Sequence, residues 1–304
     1  MNLFTENTTL IIPTRNRPIQ IINLLKQLKI HKIKFFEILI IDSSDLENKK
    51  ILKAEKNKLQ INIFDTLPST SFQRNYGLSK KNSKTEFVMF LDDDVSFFDN
   101  AFYEMHKIIK KYKNNSSIAG FGFNQIPMLK KTNLFENIKT SKFSEFLGLY
   151  SNKQGHLLKS GWHTKILNVK NDIYVDWIYT TACVYKSKMI LNFKFDEQLG
   201  QYGYLEDLDF SLNQYKSKKK IIMAHLAKFY HPINIDRSSF SFGVLEVVNR
   251  YKIVTKYNLN KKIFFTVLFL RFLISLSGIF RLKLNRFLRA MGNIYGSIQC
   301  LKIR

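Results

Sequence analysis

Between residues 8 and 125, short unbroken apolar runs alternate with stretches whose apolar positions recur at helical spacing. Thr9–Ile12 (TLII) reads as a buried strand closed by Pro13, and Pro18 suits the first turn of a helix carrying Ile19, Ile22, Leu25 and Leu28 on one face. Glu37–Ile41 (EILII), Gln60–Phe64 (QINIF) and Phe87–Leu91 (FVMFL) are further strands, with a Lys/Glu-rich helix and a helix over Phe72–Lys81 between them. Continuous apolar strands separated by helices predict an α/β fold with a mostly parallel central sheet covered on both faces. Residues 126 to 172 lose this periodicity and read as an insertion or mobile loop, a candidate lid. Trp177–Tyr185 returns as a strand, Glu206–Lys218 as a helix and Ile221–Tyr230 as a last strand. From Ser239 onward the chain reads as successive helices, so the division expected is a catalytic domain over 1–237 and a helical region over 238–304.

Composition changes this picture in one respect. The 304 residues carry 48 Lys and Arg against 24 Asp and Glu, a formal charge of +24. Residues 211 to 304 hold 18 of those cations and two acids, Asp236 and Glu246, so +16 of the excess lies in the last third. Such a field attracts polyanions: nucleic acid, anionic lipid or phosphorylated substrates. The same third contains Ile263–Phe280, 18 nearly unbroken apolar residues flanked by Lys261-Lys262 and by Arg281 and Lys283. That length is short for a transmembrane helix; an interfacial helix, a span and a buried core helix are the three readings. Cations beside apolar helices suit an anionic cytoplasmic leaflet. Cys183 and Cys300 have no C-x-x-C neighbour, and Met1–Leu10 has neither a basic nor an apolar leader pattern, so a cytoplasmic chain without a disulfide framework or zinc site is expected.

The candidate chemistry sits at strand ends, where open α/β sheets bind ligands. Asp92-Asp93-Asp94 follows an apolar strand directly. Three adjacent carboxylates repel unless a cation neutralises them, and hard oxygen ligands suit Mg²⁺ or Mn²⁺; the structural alternative is a turn capping the helix near Asp99 and Asn100. Glu206-Asp207-Leu208-Asp209 offers a general base, or simply acids favoured by a helix dipole. His231 is a possible metal ligand or an ordinary packed histidine, and Arg74 and Asp42 reach a nucleotide or serve as helix-start residues. No G-x-G-x-x-G, G-x-x-x-x-G-K-[ST] or G-x-S-x-G motif is present, which disfavours dinucleotide, P-loop and hydrolase chemistry.

Five ordered motifs, IIPTRNRP, IIDSS, SFQRNYGL, FLDDD and FDEQLGQYGYLEDLDFSL, together resemble the family 2 glycosyltransferases of the GT-A (Rossmann-like) fold over residues 8 to 237. The resemblance implies an inverting transferase with a nucleotide-diphosphate sugar donor and a glycan or lipid-linked acceptor, in bacterial surface polysaccharide (capsule, O-antigen or related) synthesis. It places Pro13, Thr14, Arg15, Asp42 and Arg74 around the base and ribose, with Asp92 and Asp93 in the ribose and metal surroundings. Asp94 would coordinate a divalent cation, Mn²⁺ or Mg²⁺, with His231 as a further ligand, and Arg237 would touch the diphosphate. Asp207 would be the base, Glu206 would help to place the acceptor, and Trp177 and Tyr204 would contact it. Two departures stand out: Asp42-Ser43-Ser44 replaces the usual Asp-Asp-Gly-Ser, and Tyr179-Thr180-Thr181 follows Trp177 where the family has Gly. The resulting expectation is an enzyme peripheral on the inner face of the cytoplasmic membrane, with no nucleic-acid partner. A sugar-nucleotide nucleotidyltransferase, which would want a Gly-rich signature after the first strand, and a basic nucleic-acid-binding protein are the alternatives.

Overall fold

The computed structural model describes residues 3–127, 142–232, 237–276 and 284–302. Two compact units emerge from the packing: Met1–Leu129 with Ile166–Pro232, and Lys130–Lys165 with Ile233–Arg304.

The first unit is built on a nine-stranded sheet among the described residues. Its strands are β1 (Thr8–Thr14), β2 (Glu37–Asp42), β3 (Asn62–Asp65), β4 (Phe87–Leu91), β5 (Ser96–Phe97), β6 (Ile118–Gln125), β7 (Ile173–Val175), β8 (Ala182–Lys186) and β9 (Lys220–Tyr230). They lie in the order β3-β2-β1-β4-β8-β6-β9-β5, with β7 on β9. The first four are parallel, as the apolar runs predict. The other half departs from that expectation. β8 runs antiparallel to β4 and β6, and β5 and β7 run antiparallel to β9, so the sheet is mixed. β6 hid from pattern reading because Gly120 and Gly122 interrupt its apolar run. A methyl group on Gly122 would stand 2.3 Å from Met223 Sδ, and one on Gly120 2.7 Å from Tyr185, so both positions must stay bare for neighbouring side chains to cross them.

Helices α1 (Pro18–Ile30), α2 (Leu46–Ala54), α3 (Lys56–Leu59), α4 (Thr70–Lys80) and α5 (Ala101–Tyr112) connect the first six strands. Pro18 occupies the first turn of α1 as predicted, but the buried face is Ile21, Leu24, Leu25 and Leu28, and Ile19 is 57% exposed. The core joins these residues to Leu10, Ile12, Met89, Leu91, Phe102, Phe121 and Phe229. Trp177–Thr181, expected as strand, precedes β8 as loop, and the helix after it, α7 (Glu206–Lys216), is close to its expected span.

The second unit holds α6 (Lys142–Phe146), α8 (Phe240–Lys256), α9 (Lys261–Leu276) and α10 (Leu284–Lys302). Part of the 126–172 segment belongs here: Leu149, Leu158 and Trp162 share a core with Val247, Tyr251, Val254, Phe264 and Cys300. Trp162 stacks on Phe264 at 5.5 Å, and the Arg250 and Arg271 guanidinium groups lie 4.7 and 4.9 Å from its ring. Residues 128–141 of that segment, and 277–280 of the long apolar run with its flanks Arg281 and Lys283, lie outside the described residues. Among the described residues no helix is long and apolar enough to cross a membrane.

Candidate active site

The strand order reverses direction between β1 and β4, each parallel to the other, and the polar residues gather at that crevice. Register places Thr14 beside Asp42 and Asp42 beside Asp65, so three strand ends finish level. Asp42 is 1% exposed; one carboxylate oxygen accepts the Ser44 amide at 2.8 Å, and the other is buried without a partner. A buried orphan acceptor is costly unless a ligand donates to it. Beneath these ends α4 buries an unusually polar face of Ser71, Gln73 and Arg74. Gln73 Nε2 donates to the carbonyls of Thr14 and Ile41 at 2.9 and 2.7 Å, pinning the ends of β1 and β2 together.

The acidic triplet forms a graded cluster. Asp92 accepts Arg74 Nη2 at 2.8 Å. Asp93 accepts the Thr14 hydroxyl at 2.7 Å and Arg17 Nη1 at 2.6 Å. Asp94 receives the same Arg17 nitrogen at 3.0 Å and faces His231 Nε2 at 3.1 Å. Burial pushes the Asp93 carboxyl up to about 6, against the Thr14 hydroxyl and the Arg17 charge, with Asp94 and Asp92 adding to the rise. Burial also acts to raise Asp94, but the bond and charge of His231 and the charge of Arg17 outweigh it and hold this carboxyl below its ordinary value. His231 moves up in turn: burial opposes its charge, and the Asp94 bond with the charges of Asp92 and Asp94 prevails.

Topology explains why residues 94 and 231 meet. β5 pairs with the end of β9, Ser96 opposite Tyr230, so the chain leaving the triplet curls onto the residue before His231. A two-residue strand leaves no periodic signal in a sequence. Arg17 was missed for a related reason. Arg15, which the resemblance puts at the base and ribose, is exposed, whereas Asn16 turns the chain with φ of 55° and Arg17 reaches back to the aspartates.

The second acidic group is tied to the first. Arg74 Nη1 pairs with Glu206, and the Ser71 hydroxyl donates to the other Glu206 oxygen at 3.0 Å. Arg74 therefore bridges Asp92 and Glu206, while its guanidinium lies 5.6 Å from the Phe195 ring. Glu206 and Asp207 open α7, whose N-cap is Leu205 in the left-handed region at φ 75°, an uncommon conformation for a bulky residue. Asp207 is half-buried and accepts the Leu208 amide at 2.8 Å through Oδ1. Tyr204, two residues before the helix start, is half-exposed, and Trp177 is 1% exposed with its ring edge-on to Tyr179 at 4.6 Å. Pro13 is buried in β1. Arg237 lies in the second unit, 5.8 Å from the Phe242 ring.

Residues 9–159 match the model of glycosyl transferase family 2. The chain belongs to that family. As a family 2 glycosyltransferase it is an enzyme of glycosyl transfer, which sets the nucleotidyltransferase alternative aside. No curated protein matches it in sequence. Its fold is similar to that of the mannosyltransferase PcManGT from Pyrobaculum calidifontis, solved with GDP-Man and Mn²⁺: 13% identity, TM-score 0.55, covering 97% of this chain and 87% of that one. It is also similar to S. aureus TarS 1-349 solved with UDP-GlcNAc, at 14% identity and TM-score 0.51, covering 84% of this chain and 70% of the other. Against the longer S. aureus TarS structure the figures are 16% and 0.51, with 86% of this chain covered and 42% of that one. At these identities the likeness is one of fold.

In this glycosyltransferase the donor set suits a divalent cation only in part. Among the described residues no group of three His, Cys, Asp or Glu side chains converges. Asp94 and His231 do converge, one hard oxygen and one imidazole nitrogen, a pair that suits Mn²⁺ or Mg²⁺ when substrate phosphates supply the remaining ligands. Arg17 holds the adjacent position as a fixed positive charge.

Proposed function

We propose that the chain moves a sugar from a nucleoside-diphosphate sugar to a hydroxyl of a glycan or lipid-linked acceptor, with inversion, at a membrane surface in bacterial surface polysaccharide synthesis. The observation that carries this reading is the Asp92–Asp94 cluster, joined to Thr14, Arg17 and His231 on one side and through Arg74 to the Glu206–Asp207 helix start on the other. The buried unpartnered oxygen of Asp42 supplies an acceptor for a ribose hydroxyl or base N–H. PcManGT and TarS, solved with GDP-Man and UDP-GlcNAc, support a nucleotide-sugar donor by analogy of fold.

Asp207 takes the acceptor's proton as that oxygen bonds to the anomeric carbon. The bond from that carbon to the diphosphate oxygen breaks on the opposite face, and the electron pair leaves with the diphosphate. Asp94 and His231 would hold the divalent cation, which when bound offsets charge on the leaving diphosphate. Arg17, fixed by two aspartates, adds positive charge beside them. Arg74 and Ser71 hold Glu206 and with it the start of α7, and so set where the base stands.

The second unit supplies the proposed membrane contact. On α10, Leu288, Met291, Tyr295 and Ile298 are 39 to 50% exposed at helical spacing, and on α9 Phe269 and Leu273 are exposed on a helix that opens with Lys261-Lys262. Apolar stripes beside lysines match an interfacial helix on anionic lipid. Incubation with a panel of nucleotide-sugars and lipid-linked or oligosaccharide acceptors tests the chemistry. Release of nucleoside diphosphate with a product of inverted anomeric configuration is the outcome expected, and retained configuration overturns the single displacement.

A further inference from the structure

The sheet has a second polar end. The start of β4 and the finish of β8 border a cavity of about 460 Å³. Five residues of β4 separate it from the aspartate triplet, roughly 17 Å at strand rise. Lys81, Lys113, Lys186 and Lys188 line it against one carboxylate, Glu86. Glu86 is already engaged with Lys113 at 2.7 Å, so the positive excess is not neutralised by the lining. Lys186 is buried, and its ammonium donates to the carbonyls of Tyr112 and Asn115, both at 2.8 Å, leaving one N–H of three. Ser187 also lines the cavity. It is 7% exposed, its amide is spent on the Glu86 carbonyl, and its hydroxyl is buried without a partner.

Like charges gathered around an unsatisfied hydroxyl are unfavourable alone and favourable around an anion. The donors not already paired come from two places: Lys81 at the end of α4, and Lys186, Ser187 and Lys188 at and just after the end of β8. They would approach one ligand from different directions, which suits the several acceptor oxygens of a tetrahedral phosphate better than a planar carboxylate. The volume falls in the range of small-molecule sites and exceeds what a bare ion needs. Leu191, 67% exposed on the lining, offers an apolar wall for a carbon skeleton.

We propose that this cavity is an accessory binding site for a phosphate ester, separate from the transferase centre, held by Lys81, Lys186, Lys188 and the Ser187 hydroxyl. The test uses the intact chain with inorganic phosphate and glycerol 3-phosphate as soluble probes. In parallel, neutral vesicles with and without phosphatidic acid present the same group on a lipid. Reductive methylation of lysines is followed residue by residue by mass spectrometry at matched ionic strength. A phosphate probe slows modification of Lys81 and Lys188 and leaves Lys32, outside the cavity, unchanged. Protection by the soluble probes assigns a free phosphate ester, and protection by phosphatidic acid vesicles alone assigns a lipid headgroup. The double change Lys81→Glu/Lys188→Glu weakens probe binding by more than about tenfold. Ser187→Ala weakens binding with no fall in Tm, because it removes a hydroxyl that has no bond to lose. Equal protection of Lys32, protection by duplex DNA alone, or unchanged probe affinity in the double variant overturns the proposal.

Discussion

Arg74 shows how far a residue's position can be read and where its role escapes. Its place near the site follows from the SFQRNYGL motif, which offers it either to a nucleotide or to a helix start. The structure has it 3% exposed at the side chain, gripping Asp92 and Glu206. Removing one partner of a buried ion pair leaves charges uncompensated, so Arg74→Met should cost about 3–5 kcal/mol of stability by chemical denaturation. A loss below about 1 kcal/mol would mean that water already serves these carboxylates. Asp207 separates chemistry from structure. Asn retains the oxygen that accepts the Leu208 amide, so Asp207→Asn should keep Tm and donor affinity while kcat falls by roughly 10²–10⁴. Near-normal turnover in the folded variant would remove Asp207 from the mechanism. Asp42, the Asp92–Asp94 triplet and His231 were visible because they follow apolar strands, and Glu206 because acids crowd a helix start. Arg17, Ser71 and Gln73 were not, because a single arginine, serine or glutamine carries no signal until a turn or a buried helix face aims it.

Among the elements, the turn before α7 carries the most constraint for its size. Gly200 and Gly203 have φ of 85° and 60°, and Leu205 completes it in the left-handed region. A methyl group on Gly203 would stand 2.9 Å from Glu206 Oε2. Gly203→Ala should therefore displace the carboxylate that Arg74 and Ser71 hold and reduce kcat, at a stability cost of about 1–2 kcal/mol. Intact kcat with only a Tm loss would show that Glu206 placement is unimportant. Strands β1, β2 and β4 were legible because both faces are buried and their apolar runs are unbroken. β5 was too short to read, β6 was broken by its glycines, and the antiparallel β8 carries no mark of its direction. In the second unit the legible feature was composition rather than packing. His163 is half-buried there, and burial followed by the charges of Arg250, Arg271, Arg237 and Lys165 holds its pKa well below the ordinary value. A depressed histidine contributes full stability above its unfolded value of about 6.5, and that contribution is lost as pH falls below it, by up to about 1.4 kcal/mol per pH unit. Tm should fall between pH 7.5 and 5.5 in the native chain and fall less in His163→Gln. An identical slope in both would assign the acid sensitivity elsewhere.

Most of the late positive charge and the candidate site fall in different units. The first unit carries the acidic, chemically specific strand ends; the second joins apolar helix faces to most of the late cations. Anionic vesicles should bind the chain in sedimentation, and binding should weaken as salt rises. Changing Phe269, Leu288 and Ile298 together to Ser should reduce it at every salt concentration. Binding unaffected by these changes would exclude the two helix faces as the membrane contact. In the proposed reaction the Asp92–Asp94 crevice binds a nucleotide-sugar with a divalent cation. Thermal unfolding with a panel of nucleotide-sugars, with and without Mn²⁺ or Mg²⁺, tests it directly. One nucleotide-sugar at 100 times its Kd should stabilise the native chain by about 2.7 kcal/mol in the presence of the cation. Asp94→Ala should lose most of that gain. Stabilisation by no nucleotide-sugar under either condition, or equal stabilisation of Asp94→Ala, would exclude cation-assisted nucleotide-sugar binding at this crevice.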